Sequence, residues 1–358
     1  MKLLHTSDIH LASPLTSKLP SSKVTSRRRE LFSSFLRLTE RAKMTGASGI
    51  IIAGDLFDSE RIRKSELDSL FSVILSSPEI SFFYLAGNHE KDAVTRSGLK
   101  ADNLFIFGEG WTSFSFGDVI IHGRTETSAD MFDTIPTDKS RFNIAVLHGE
   151  LKQRSAEGGV IGLGDAAGRG IDYLALGHYH TYSERAIDKR GVAVYSGSPE
   201  GRGFDELGDM GYSEITVSGG EVTHRFVSLA KRKIHEIPVD ITGAMTTPDI
   251  ERRIAAAVSE IPTDDLVRSL FVGVRELELR CDKEYLKERF SNRFYYFEIK
   301  DKSGLTVRAE DYRYDKSLRG EFIRMVLSDE SLSDSEREKI IHCGLSALSG
   351  EAFDIGDI

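Results

Sequence analysis

The chain has 358 residues, 40% of them hydrophobic and 29% charged, with 47 Lys+Arg against 56 Asp+Glu and a formal net charge of −9. This composition excludes a disordered or low-complexity chain and gives length for two or perhaps three domains, since compact domains usually run to about 100–200 residues. The acidic balance argues, taken alone, against a general nucleic-acid binder, which usually presents a basic surface to phosphates.

In chain order, Lys2–Thr6 is a short apolar run that stops before Asp8 and His10 and reads as a buried strand. Arg27–Met44 then carries Leu31, Phe35, Leu38 and Ala42 at helical spacing. Gly49–Ala53 repeats the strand pattern before Gly54-Asp55, Lys64–Leu75 reads as a second helix, and Ser81–Ala86 stops at Gly87-Asn88-His89-Glu90. From Asn103 to Thr125, short strands broken at Gly108-Glu109-Gly110 and Gly117-Asp118 suggest a meander. Phe142–Leu147 ends before His148, and Asp172–Leu176 before Gly177-His178-Tyr179-His180. Val192–Tyr195 and Tyr212–Leu229 add strands, the latter a hairpin turning at Gly219-Gly220.

Near Lys231 the character changes. A strand-like Lys233–Ile241 precedes a helix over Pro248–Ile261, strands around Gly273–Arg280 and Phe294–Lys300, and helices over Ser317–Leu327 and Asp334–Leu348. The expected organisation is an α/β domain over residues 1–230, with two sheets packed between helices, a small α/β cap over 231–315, and a helical segment over 316–358. The apolar faces of that last segment either pack on the cap or dock a partner.

Cys281 and Cys343 lie far apart and suggest neither a disulfide framework nor a sulfur-ligated zinc site, so any metal must be held by nitrogen and oxygen. No apolar run approaches a membrane span and the N-terminus has no signal-peptide character, so a cytoplasmic location is expected. The basic clusters Arg27-Arg28-Arg29 and Lys231-Arg232-Lys233 read either as phosphate contacts or as a solvated helix start and a linker.

Five strand-like runs thus end in His, Asp or Asn. In layered α/β folds ligands collect beyond the carboxyl ends of strands, so five polar tips can converge on one pocket. A pair of divalent cations about 3.5–4 Å apart needs a bridging carboxylate, terminal oxygen and imidazole ligands and open positions for water and phosphate. Asp8-x-His10, Gly54-Asp55-x-x-Asp58, Gly87-Asn88-His89-Glu90, His148-Gly149 and Gly177-His178-x-His180 supply every part, with glycines placed for sharp turns and close approach. A single histidine is more often a surface or satisfied core residue, but here five of the ten histidines sit at strand ends beside glycine or acid.

In order and spacing, these five motifs resemble the calcineurin-like metallophosphoesterase superfamily over about residues 1–230. The resemblance implies a four-layer α-β-β-α sandwich, two mixed sheets flanked by helices, holding two metal ions. It implies one ion bound by Asp8, His10, Asp55 and His180 and a second by Asp55, Asn88, His148 and His178, with Asp55 bridging. His89 matches the histidine that serves the leaving oxygen, and Asp58 stands at the end of the second motif in a supporting position. The oxygen and imidazole donor set makes Mn²⁺ the first choice.

The superfamily motif does not choose a substrate. Three further segments resemble the SbcD/YhaO DNA exonucleases and their break-repair relatives: His5-Thr6-Ser7-Asp8-Ile9-His10-Leu11-Ala12-Ser13-Pro14-Leu15, Ile171–His178, and Tyr195–Glu206 followed by Gly211-Tyr212. The last implies a strand and loop near DNA, where Ser198 and Arg202 would contact phosphate. The expected function is therefore a metal-dependent DNA nuclease in DNA repair, an exonuclease with single-strand endonuclease action beside it. Family analogy adds an SbcC-like coiled-coil ATPase docked on the C-terminal helices, and a homodimer. Asp58 departs from many break-repair nucleases, which have histidine there, and this bears on exonuclease preference and polarity rather than hydrolysis. Two other readings are a small-molecule phosphodiesterase or nucleotide phosphatase with the same ions, and a scaffold that has lost catalysis.

Overall fold

The computed structural model describes residues 1–15, 19–276, 279, 281–306, 312 and 314–349. The chain forms two compact units, Met1–Ile234 and His235–Ile358.

In the first unit, β1 (Lys2–Thr6), α1 (Ser21–Thr45), β2 (Gly49–Ala53), α2 (Lys64–Leu75), β3 (Ser81–Leu85), the one-turn α3 (Ala93–Arg96) and β4 (Leu104–Ile106) open the chain. The strands β5 (Thr112–Phe116), β6 (Val119–Gly123), β7 (Phe142–His148), β8 (Glu150–Lys152) and β9 (Val160–Gly162) follow, then α4 (Leu163–Ala166). The unit closes with β10 (Tyr173–Gly177), β11 (Ser183–Ala186), β12 (Val192–Tyr195), β13 (Gly211–Ser218) and β14 (Glu221–Ser228).

Twelve of these strands make two six-stranded mixed sheets, one in the order β14-β13-β1-β2-β3-β4 and one in the order β11-β12-β10-β7-β6-β5, and β8 pairs with β9. Their central strands are parallel and buried on both faces, which explains why they read as continuous apolar runs rather than alternating ones. Alternate residues divide the core. Leu4, Ile50, Ile52, Phe82 and Tyr84 pack beneath Phe35, Leu38 and Ala42 of α1 and Leu70, Phe71 and Ile74 of α2. Leu3, Ile51 and Phe83 point the other way, onto Ile121, Ile144, Val146 and Ala175 of the second sheet. The outer face of that second sheet is covered by Met131 and Phe132 of a 3₁₀ turn, with Ile161, Ala166 and Ile171. The result is the α-β-β-α sandwich expected, with its fourth layer reduced to short turns.

Helix α1 begins six residues before the expected Arg27. Pro20 stands at its N-cap, where a missing N–H costs nothing, and Val24 is buried with Leu15 and Leu31. Arg27 is not part of a solvated helix start. It is 1% exposed and bonds Glu30, both Glu200 Oε1 (3.1 Å) and the Gly201 carbonyl. Arg232 and Lys231 likewise close on Glu30, at 2.9 and 3.1 Å.

In the second unit, β15 (Ile234–Asp240), β16 (Leu266–Val272) and β18 (Tyr296–Asp301) form one sheet, and β17 (Val274–Glu276) pairs with β19 (Gly304–Thr306). Helices α5 (Thr247–Ala257), α6 (Lys283–Ser291), α7 (Leu318–Ser328) and α8 (Asp334–Ser349) complete it. The strand expected around Gly273–Arg280 lies mostly earlier, at Leu266–Val272. The chain breaks at Gly273 with φ 82° before β17, and residues 277, 278 and 280 of that expectation lie outside the described residues. Helix α6 went unread because only Leu286 and Phe290, four apart, mark its buried face. Among the described residues, no helix is long and apolar enough to cross a membrane.

Candidate metal centre

The site is built where the two sheets present their central strand ends side by side. From the first sheet, β1 delivers Asp8 and His10, β2 delivers Asp55 and Asp58, and β3 delivers Asn88 and His89. From the second, β7 ends in His148 and β10 leads to His178 and His180. Backbone bonds fix these tips to one another: Asp8 N–H to Gly54 O and His10 N–H to Asp55 O, both 3.0 Å, and Gly149 N–H to Gly177 O at 3.1 Å. Further contacts cross between the sheets. His148 Nδ1 lies 3.0 Å from Ala53 O, and the His178 amide donates to both Asp8 carboxylate oxygens at 3.1 and 3.0 Å.

Close approach is possible only because of the glycines in these tips. A Cβ on Gly54 would overlap the His148 ring, and one on Gly87 would overlap the Asp55 carboxylate and amide. The backbone is also strained here: Asp8 (φ 51°), His10 (49°), Asp55 (52°) and His178 (113°) all take positive φ. Residues held in such sparsely populated regions each cost roughly 1–3 kcal/mol and cluster at functional sites.

The convergence is tight. Candidate donor atoms of Asp8, His10 and His180 lie within 4.8 Å of one another, as do those of Asp8, Asp55 and His148, and those of His10, Asp58 and His89. His148 Nε2 is 2.9 Å from Asn88 Oδ1 and 3.3 Å from Asp55 Oδ2, and His10 Nε2 is 3.8 Å from the same oxygen. The His178 ring stands 5.5 Å from the His148 ring, centroid to centroid.

The donor chemistry fits a cation. Asp58 Oδ1 lies 3.0 Å from His10 Nδ1, and Glu206 Oε1 at 2.8 Å and Arg202 Nη2 at 3.2 Å both approach His180 Nδ1, so a carboxylate stands behind each ring. The two Nε2 atoms face each other at 3.3 Å. His148 Nδ1–H donates to Ala53 O, and its Nε2 points among oxygens. The charges agree. Burial works against ionising Asp55, but its hydrogen bond to His148 and the charges of His148 and His10 hold the carboxyl well below its usual range. Burial likewise opposes charge on His148, yet Asp55 and Asp8 outweigh it and raise that imidazole to about 9. The pocket demands positive charge.

Behind these groups stands a supporting layer. Glu90 Oε1 accepts from Leu56 N–H (3.1 Å), Gly87 N–H (3.1 Å) and Tyr84 Oη–H (3.0 Å), tying the Asp55 loop to the Asn88 loop. Burial, and then the Asp55 charge, push Glu90 up to about 7. Sequence reasoning quoted Glu90 and Glu206 inside motifs without giving either a role, because nothing local pairs Glu206 with a histidine 26 residues earlier.

The expectation that Ser198 and Arg202 contact phosphate meets a different placement. Ser198 is 0% exposed and its amide donates to His180 O at 2.9 Å. Arg202 is 7% exposed, bonding Asp58 Oδ1 at 3.0 Å and Glu206 Oε1 at 2.9 Å. Its charge is spent on the two carboxylates that orient His10 and His180. His89, like Asn88 and His178, is exposed, its amide on Asp55 Oδ1 at 3.1 Å and its Nδ1 3.3 Å from Asp58 O.

Residues 1–200 match the family described as calcineurin-like phosphoesterase. The chain is 27% identical over 263 residues to an uncharacterised metallophosphoesterase, YhaO, of Bacillus subtilis, covering 68% of this chain and 64% of that protein. It is 28% identical over 233 residues to a DNA double-strand break repair protein, Mre11, of Methanosarcina mazei, covering 61% and 36%. A protein of the same description from Methanopyrus kandleri is 24% identical over 288 residues, covering 71% and 62%. The chain therefore spans less than two thirds of the length of each of these relatives.

Proposed function

For a chain that belongs to the calcineurin-like phosphoesterase family, we propose that the activity is phosphoester hydrolysis, the substrate DNA and the ions Mn²⁺. In this reading the protein is an exonuclease, with single-strand endonuclease action beside it, working in DNA repair. The observation that supports metal-assisted hydrolysis is the pair of His10 and His180 Nε2 atoms facing each other at 3.3 Å, each ring backed by a carboxylate and both beside Asp8. The similarity to proteins named for DNA break repair supports DNA as the substrate.

We assign one ion to Asp8, His10, Asp55 and His180, and the other to Asp55, Asn88, His148 and His178. Bound there, two divalent ions supply an activated water and neutralise charge on phosphoryl oxygens. Asp58 and Glu206 hold the ring orientation of His10 and His180, so the ligand geometry is set before substrate arrives. His89, exposed beside Asp55, donates a proton to the leaving alkoxide as the P–O bond breaks. Residues 231–315 act in this reading as a cap that helps place DNA, and residues 316–358 dock an SbcC-like coiled-coil ATPase; homodimerisation and a cytoplasmic location complete it.

The acidic net charge of −9 favours a second reading, a small-molecule phosphodiesterase or nucleotide phosphatase. One experiment separates the two: Mn²⁺-dependent degradation of end-labelled single- and double-stranded DNA, with a generic diester alongside and Asp55→Asn and His89→Ala as controls. DNA cleavage lost in both variants supports the nuclease. Diester hydrolysis with DNA untouched supports the small-molecule enzyme.

A further inference from the structure

Beside the same loops lies a groove with a volume of about 630 Å³, within the usual range for a small-ligand pocket. Its floor is apolar, formed by Leu11, Ala12, Phe32 and Phe57, and its rim carries Arg28, Arg29 and Arg63 against a single acid, Glu66. Arg63 is already paired with Glu66 at 2.8 Å, so the surplus positive charge rests on Arg28 and Arg29. Arg28 is oriented by its Nε–H bond to Ser13 O at 2.8 Å, and Arg29 is exposed.

The groove is continuous in the chain with the metal centre. Leu11 follows His10 and Phe57 precedes Asp58. The two are joined as a β-bridge, with Leu11 N–H on Leu56 O at 2.8 Å and Asp58 N–H on Leu11 O at 3.1 Å. A ligand on this floor sits one residue along from two groups of the site.

We propose that the groove binds one unpaired nucleotide of the DNA strand being cut, its base on Phe32 and the apolar floor and its phosphate between Arg28 and Arg29. This rests on the nuclease reading above. An aromatic platform flanked by guanidinium groups is the chemistry that holds single-stranded nucleic acid without regard to sequence, because every base has a π-face and every nucleotide one phosphate. A paired base keeps its face inside the duplex stack and cannot lie on such a floor. The groove therefore selects frayed or single-stranded ends, and it supplies local positive charge on an otherwise acidic chain.

The test is fluorescence anisotropy of the full-length protein with a labelled oligothymidylate and with a labelled blunt duplex, in chelator so that nothing is cut. Arg29→Glu and Phe32→Ser are each expected to weaken oligothymidylate binding about tenfold, the weight of one base contact or phosphate contact, with a smaller effect on the duplex. Lys189→Glu, the same charge change on an exposed turn away from the groove, is expected to bind as wild type does. Thermal melting accompanies each variant, and because Arg29 is exposed its result decides if Phe32→Ser fails to fold. Wild-type affinity in Arg29→Glu, for a protein that does cut DNA in Mn²⁺, overturns the groove and leaves the nuclease standing. Wild-type protein that neither binds nor cuts DNA overturns both.

Discussion

His10 and His180 face each other through Nε2 at 3.3 Å while their Nδ1 atoms are bound to Asp58 and Glu206, and Arg202 joins those two carboxylates at 3.0 and 2.9 Å. A carboxylate, a guanidinium and a second carboxylate hold the two rings there, so ring orientation is fixed by residues behind the facing nitrogens.

Glu206→Gln follows directly from that geometry. The amide still fills the space but holds the His180 tautomer less firmly, so Mn²⁺ affinity is expected to fall about 10–100-fold. Isothermal titration reads this. Unchanged affinity in a variant of unchanged melting temperature would remove Glu206 from the site's support.

For His89 the expected loss depends on the leaving group. His89→Gln lowers kcat by about 100-fold or more for a nucleoside diester, whose alkoxide must be protonated, and far less for a nitrophenyl ester that leaves unaided. Bound metal is expected to stay at the wild-type level. Equal losses on both substrates would mean that His89 acts by some route other than proton donation.

Gly87→Ala places a methyl group on the Asp55 carboxylate and amide, where backbone has no room to yield. Mn²⁺ affinity is expected to drop at least tenfold, by analogy with the cost of disturbing ligand support, and hydrolysis with it. Gly110→Ala, with nothing within 4 Å of the added carbon, is the matched control. If both variants bind metal normally, the tight packing of the two loops is not what sets the site.

His5 gives a pH signature separate from the metal ligands. It is 0% exposed, its Nδ1 2.9 Å from Tyr173 Oη, and burial, opposed by the Leu176 backbone, lowers it to about 3 from an ordinary 6.5. The unfolded chain therefore binds a proton between pH 6.5 and 3 that the folded chain refuses. Stability is fully present above 6.5 and falls through that window by about 1.4 kcal/mol per pH unit. Urea unfolding at successive pH values should show a slope in His5→Gln smaller than that of wild type by this amount. Parallel curves would mean that His5 titrates alike in both states.

The strands β1, β2, β3, β7 and β10 were legible because each is a local pattern, an apolar run long enough to cross a buried sheet and stopped by a polar tip. The same locality made the candidate ligands legible, since glycine next to Asp55, Asn88 and His178 marks a chain that must turn and pack closely at those points. What lay beyond a single element was not readable. Val192–Tyr195 and Gly211–Ser218 look alike as sequence, yet one joins the second sheet and the other pairs with β1 in the first, through Lys2↔Thr216 and its neighbours.

By itself, then, the sequence determined most of the element types, the α/β class and the five polar motifs, because these follow from periodicity and residue chemistry within short windows. Only the tertiary structure decided that Arg27 is buried, that Arg202 and Ser198 sit beneath the site, and that Glu206 reaches back to His180. The reason is physical. A charge or hydroxyl in a loop has no intrinsic partner, and whether it meets phosphate or a neighbouring carboxylate depends on which distant strand ends the two sheets bring together.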